Sequence, residues 1–136
     1  MVELAYLILS EKTEQAFPSS GNQPQISVVN PLMWLQPMFV PGQFTFAINA
    51  GLRYDDPDEI AQGFTVLIRD SKGNDLSHGP HIDPPANAPK ENSIGMAFSL
   101  MATNVVFQEE GRYNVIVKLG DRELGSIEVP VKQAKG

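Results

Sequence analysis

Two stretches of this chain concentrate side chains that bind metals or move protons. The first is His78-Gly79-Pro80-His81-Ile82-Asp83, where two imidazoles and a carboxylate on a proline-stiffened segment form a donor set for a metal ion. The H-x-x-H-x-D spacing matches no established ligand motif, and a polar surface loop with two solvated histidines accounts for the same residues. The second stretch carries Asp55, Asp56, Asp58 and Glu59, enough oxygen donors for calcium. It lacks the fixed spacing of a calcium-binding hand, and Pro57 with the flanking Gly63 suits a charged, solvated turn. Serines and threonines are present without a G-x-S-x-G elbow beside either histidine, and no glycine-rich phosphate loop occurs. With no cysteine, thiol nucleophiles and zinc-thiolate sites are excluded. The expectation is a protein that is not an enzyme and needs no cofactor. The alternative is a metal-dependent enzyme or metal-binding protein using His78, His81 and Asp83.

The elements that must position these loops are strands. A chain of 136 residues is one domain, 1–136, and 11 glycines with 11 prolines break it too often for long helices. Gln43 to Leu52 alternates most cleanly, with Phe44, Phe46, Ile48, Ala50 and Leu52 on one parity. Phe64 to Asp70 and Ser93 to Ala102 read as further strands, the first followed by the turn Ser71-Lys72-Gly73-Asn74. Val2 to Leu9 is apolar on both parities, which fits a covered strand or a short buried helix. Glu11 to Gln25 is polar and turn-rich and reads as a loop, Ile26 to Val29 as a short strand, Tyr54 to Gly63 as an acidic loop. His78 to Pro89 carries four prolines and reads as a long, stiff surface loop.

Gln108 to Val131 is a β-hairpin. Tyr113, Val115, Val117 and Leu119 share one parity, Gly120-Asp121 suits a two-residue type I′ or II′ turn, and Ile127, Val129 and Val131 return on one parity. Gly125, beside the out-of-phase Leu124, suits a bulge. Seven or eight short strands with turns between them and no internal repeat predict an antiparallel β-sandwich.

Glu110-Gly111-Arg112-Tyr113-Asn114-Val115 resembles the segment that opens the penultimate strand of many immunoglobulin-like sandwiches. The resemblance implies that the Tyr113 hydroxyl bonds back to the preceding corner. It also places Val115 where disulfide-bonded members carry cysteine, so a disulfide-free branch is implied. Together with VPGQFTFAI and the terminal hairpin, residues from about Ile26 to Val131 are similar to a family of small, uncharacterised bacterial β-sandwich proteins, which implies a fold and no activity.

The formal net charge of −6 disfavours nucleic acid and anionic membrane as partners, since binding to either is driven by lysine and arginine. The apolar run Leu4 to Leu9 has no basic residue ahead of it and is too short to span a bilayer, so a cytoplasmic location is expected. Charge is also unevenly placed. No Asp, Glu, Lys or Arg occurs from Gln15 to Leu52 or from Asn92 to Gln108, although about a quarter of an ordinary chain is charged. Core strands account for part of this. Met33, Trp34, Leu35, Met38 and Phe39, lying between Pro31, Pro37 and Pro41, have the composition of an interface core, depleted in charge and rich in Trp, Met and Phe. They predict a surface for a protein partner or for a second copy in a homodimer. The competing reading is a segment folded over an open end of the sandwich.

Overall fold

The computed structural model describes residues 2–16, 25–77, 81–82 and 95–135. Among the described residues nine strands lie in two sheets: β1 (Glu3–Ala16), β2 (Gln25–Leu32), β3 (Gly42–Arg53), β4 (Phe64–Arg69), β5 (Asp75–Ser77), β6 (His81–Ile82), β7 (Gly95–Phe107), β8 (Gly111–Leu119) and β9 (Arg122–Val131). One sheet has the order β2-β1-β3-β7 and the other β5-β4-β8-β9, with the two-residue β6 also on β4. Every strand pairing is antiparallel. Setting β1, β3 and β7 as strands A, B and E, and β5, β4, β8 and β9 as C′, C, F and G, reproduces the immunoglobulin arrangement, with β2 added at one edge. The protein is an immunoglobulin-like antiparallel β-sandwich. Among the described residues no helix is long and apolar enough to cross a membrane.

The alternation in the sequence determines what meets between the sheets. Phe46, Ile48, Ala50 and Leu52 of β3, Leu9 of β1 and Phe98 of β7 face Phe64, Val66 and Ile68 of β4, Val115 and Val117 of β8, and Val129 and Val131 of β9, all in one buried cluster. Phe64 and Phe98 stack across the sandwich with ring centroids 5.9 Å apart. Burial of each of the larger of these side chains, the valines, leucines, isoleucines and phenylalanines, contributes roughly 1.5–3 kcal/mol.

The hairpin turns at Gly120-Asp121, with Leu119 opposite Arg122. Positive φ occurs at Gly120 (58°) and not at Asp121, which makes the turn type II′. The pairing shifts by one residue between Val117 and Lys118, so Leu124-Gly125 is the bulge. Ile116, the residue out of phase in β8, pairs with Leu67 on the outer face, and both are buried.

Two boundaries are corrected. Glu11 to Ala16 is strand, not loop: β1 runs on past β3 and pairs with β2 from Leu9↔Leu32 to Ala16↔Gln25. At that sheet edge Glu11, Lys12 and Glu14 are exposed, so the strand carries no hydrophobic period for a sequence reading to find. β2 likewise extends to Leu32 and includes Pro31, which an edge strand tolerates because one side of its backbone needs no partner.

Candidate functional site

The chain leaves β2 at Leu32, in one sheet, and crosses to β9, in the other, before entering β3. This crossing segment, residues 33–41, behaves as a strap held by its backbone. Leu35 forms a parallel bridge with Val131: the Leu35 amide donates to the Pro130 carbonyl at 2.9 Å, and the Lys132 amide donates to the Leu35 carbonyl at 3.0 Å. Further along, the Ala134 amide donates to the Pro37 carbonyl at 2.8 Å and the Val40 amide to Gln133 Oε1 at 2.9 Å. Gly42 closes the strap, because a Cβ there would lie 2.2 Å from the Phe39 carbonyl oxygen. Only glycine permits so close a return.

With the backbone fixed, the side chains divide. Leu35 is fully buried and Pro37 is buried, whereas Met33 (77%), Trp34 (47%), Met38 (72%) and Phe39 (70%) are exposed. Leu35, grouped with the interface residues by composition, is therefore corrected to a core residue. Its backbone joins β9, and that pairing turns its side chain into the sandwich. Leu35 and Pro37 lie against the β9 edge while their neighbours stand in solvent. Beside Trp34 and Met33 a groove of about 510 Å³ opens, walled by Leu32 and Phe44, with Glu11 and Asn30 at its rim, where Asn30 Nδ2 donates to Glu11 Oε2 at 2.9 Å.

Among the described residues the large exposed apolar side chains are grouped. Tyr6, Ile8, Met33, Trp34, Met38, Phe39, Met101 and Val106 all lie on the four-stranded sheet or the strap. The outer face of the other sheet carries paired charges around the buried Ile116 and Leu67. There Arg112 pairs with Glu128, Arg69 Nε lies 2.7 Å from Asp75 Oδ1, and Lys118 faces Glu123. The two charge-free stretches of sequence turn out to be neighbours, because β3 and β7 pair along their length from Gly42↔Phe107 to Arg53↔Gly95. No local pattern could have joined them. At their centre Asn49, buried, accepts from Thr13 Oγ1 (2.9 Å) and Ser99 Oγ (2.7 Å) and donates to the Ile8 carbonyl and Ser10 Oγ, both at 3.0 Å.

The acidic cluster makes local hydrogen bonds to its own backbone. Asp56 Oδ1 accepts from the Asp58 amide at 2.9 Å, while Glu59 Oε1 accepts from the Asp55 and Asp56 amides at 3.2 and 3.0 Å. This is a capping box on the 3-10 turn Pro57–Ile60. Among the described residues no group of three or more histidine or acidic side chains is placed to hold a metal. His78 and Asp83 lie outside the described residues. The His81 backbone pairs with Thr65 at the β4 edge.

A model of a family described as a family of unknown function, DUF6941, matches residues 21–132. No curated protein matches the chain. A solved immunoglobulin-like protein from Pseudomonas aeruginosa is similar at 12% identity over 94% of this chain and 98% of its own, with a TM-score of 0.38.

Proposed function

We propose that this chain, which belongs to the DUF6941 family of unknown function, is a non-enzymatic protein-binding and assembly module that self-associates and docks proteins on its strap. The observation that carries the reading is the strap itself. Four large apolar side chains, Met33, Trp34, Met38 and Phe39, are held in solvent by a backbone pinned at Leu35, Pro37 and Val40. Soluble monomers rarely present large contiguous apolar patches, and residues of these types dominate interface energetics because they bury much area. A backbone fixed in advance lowers the ordering entropy that association must overcome.

The chain has one tryptophan, Trp34, so its fluorescence reports on the strap alone. The test is purification from the native cell of tagged wild type and of a Trp34→Ala/Phe39→Ala variant. The wild type is expected to retain a defined protein partner that the variant loses, and Trp34 emission should shift to the blue when that partner is added back. Identical retained sets, or unshifted emission, would refute docking on the strap.

A further inference from the structure

We infer that β7 is the self-association interface, joining two copies edge to edge through residues Gly95 to Ala102, and that the strap is left for a different protein. This rests on the self-associating part of the proposed function and goes further by naming the surface. Sheet edges carry unpaired backbone donors and acceptors, and soluble proteins guard them with proline, charge, short strands, bulges or covering segments. Three of the four edges here are guarded. β2 contains Pro31 and a left-handed Asn30 (φ 57°). β9 contains Pro130, carries Arg122, Glu123 and Glu128, and is covered by the strap at Leu35. β5 is three residues long and begins with Asp75, and β6 is two residues long.

β7 is the exception. It spans 13 residues without proline or charge, and among the described residues no strand pairs with its outer side. Its one irregularity is near the far end, where the pairing with β3 shifts between Phe44 and Phe46 and Asn104 takes φ 54°. Among the described residues, Gly95 to Ala102 is thus a regular, uncharged edge.

The occupant that fits is a second copy. Two copies of a chain of net charge −6 repel each other overall, and the uncharged β7 lets them meet without setting like charges opposite one another. An antiparallel strand is self-complementary about a two-fold axis, giving the closed, isologous contact of a C2 dimer. Side chains directly opposite each other share a sheet face, so the axis must pass through a residue, not between two. Centred on Ser99, it sets Ala97 opposite Met101 of the second copy on the outer face and Phe98 opposite Leu100 on the core face. The uncharged outer face around Tyr6, Ile8 and Met101 then runs unbroken through both copies.

The register makes the test specific. Two double variants of the full chain, Ala97→Lys/Met101→Lys and Ala97→Glu/Met101→Lys, alter the same outward positions. In the first, cations face cations across the axis, and in the second each cation faces a carboxylate. Sedimentation velocity is expected to show a dimer for wild type and for Ala97→Glu/Met101→Lys, with association weakened by at least about tenfold in Ala97→Lys/Met101→Lys. Equal behaviour of the two variants would overturn the edge pairing. So would loss of the dimer in Trp34→Ala/Phe39→Ala, which would move self-association to the strap. A wild type monomeric at high concentration would overturn self-association altogether while leaving strap docking to its own test. Should either variant fail to fold, hydrogen exchange of wild type decides. Amides in Gly95 to Ala102 must gain protection as concentration rises, and unchanged protection sinks the proposal.

Discussion

The hydroxyl of Tyr113 donates a 2.6 Å hydrogen bond to the backbone carbonyl of Glu109, four residues earlier. The bond closes the corner between β7 and β8. The Tyr113 ring meets Phe107 edge-on, with centroids 5.0 Å apart, so the last side chain of β7 and an early one of β8 are fixed together. Tyr113→Phe removes the donor and leaves the Glu109 carbonyl without this hydrogen bond, while the buried ring stays in place. Tyr113→Phe should therefore destabilise the protein by about 1 kcal/mol. Urea unfolding of the two proteins with unchanged m-values measures this, and equal midpoints would refute it.

The same residue sets a limit at alkaline pH. Burial, with the negative charges of Asp70 and Glu109, raises the Tyr113 hydroxyl above its ordinary value. A group whose folded value is raised contributes stability that is whole below its unfolded value, about pH 10 for tyrosine, and is lost as pH rises through the folded value. Wild type is thus expected to lose stability above about pH 10 faster than Tyr113→Phe, narrowing the gap between them. A gap constant from neutral to alkaline pH would contradict this.

Asn49 links three strands of one sheet through Thr13, Ser10, the Ile8 carbonyl and Ser99. Asn49→Leu leaves these groups without their partner and adds apolar bulk where the amide fitted. The expected loss is about 3 kcal/mol, read as a lower urea midpoint. A loss under about 1 kcal/mol would mean that the neighbours re-pair among themselves.

Neighbouring strap residues should respond oppositely. Leu35→Ala removes a fully buried side chain and is expected to cost about 2–5 kcal/mol, whereas Phe39→Ala should stay within about 0.5 kcal/mol because the ring is already in water. Thermal melting of both variants checks the contrast. Similar losses would mean that the exposed ring is packed after all.

What could be read from the sequence follows from where each residue's neighbours come from. β3 and the β8–β9 hairpin were legible because one face of each strand is buried against the opposite sheet, which imposes a period of two, and because Gly120-Asp121 closes the hairpin locally. The far half of β1 was not legible, since at an edge both of its faces tolerate polar residues. Within the strap, composition found the right segment but not the direction of Leu35. Between prolines there is no period to separate inward from outward, and the direction is set by Val131, far along the chain. That the two charge-free stretches lie side by side as β3 and β7 is likewise a non-local fact.

The bridge from Leu35 to Val131 also has a consequence for the order in which the protein matures on the ribosome. The strap is made early and its docking strand late, so Leu35 has no pocket until β9 has cleared the exit tunnel. Until then the nascent chain displays Leu35 beside Met33, Trp34, Met38 and Phe39 as one continuous apolar segment, the kind of stretch that chaperones hold. Completion of β9 removes Leu35 from that display and fixes the strap backbone, so the surface proposed to bind partners takes its final form only when β9 is laid down.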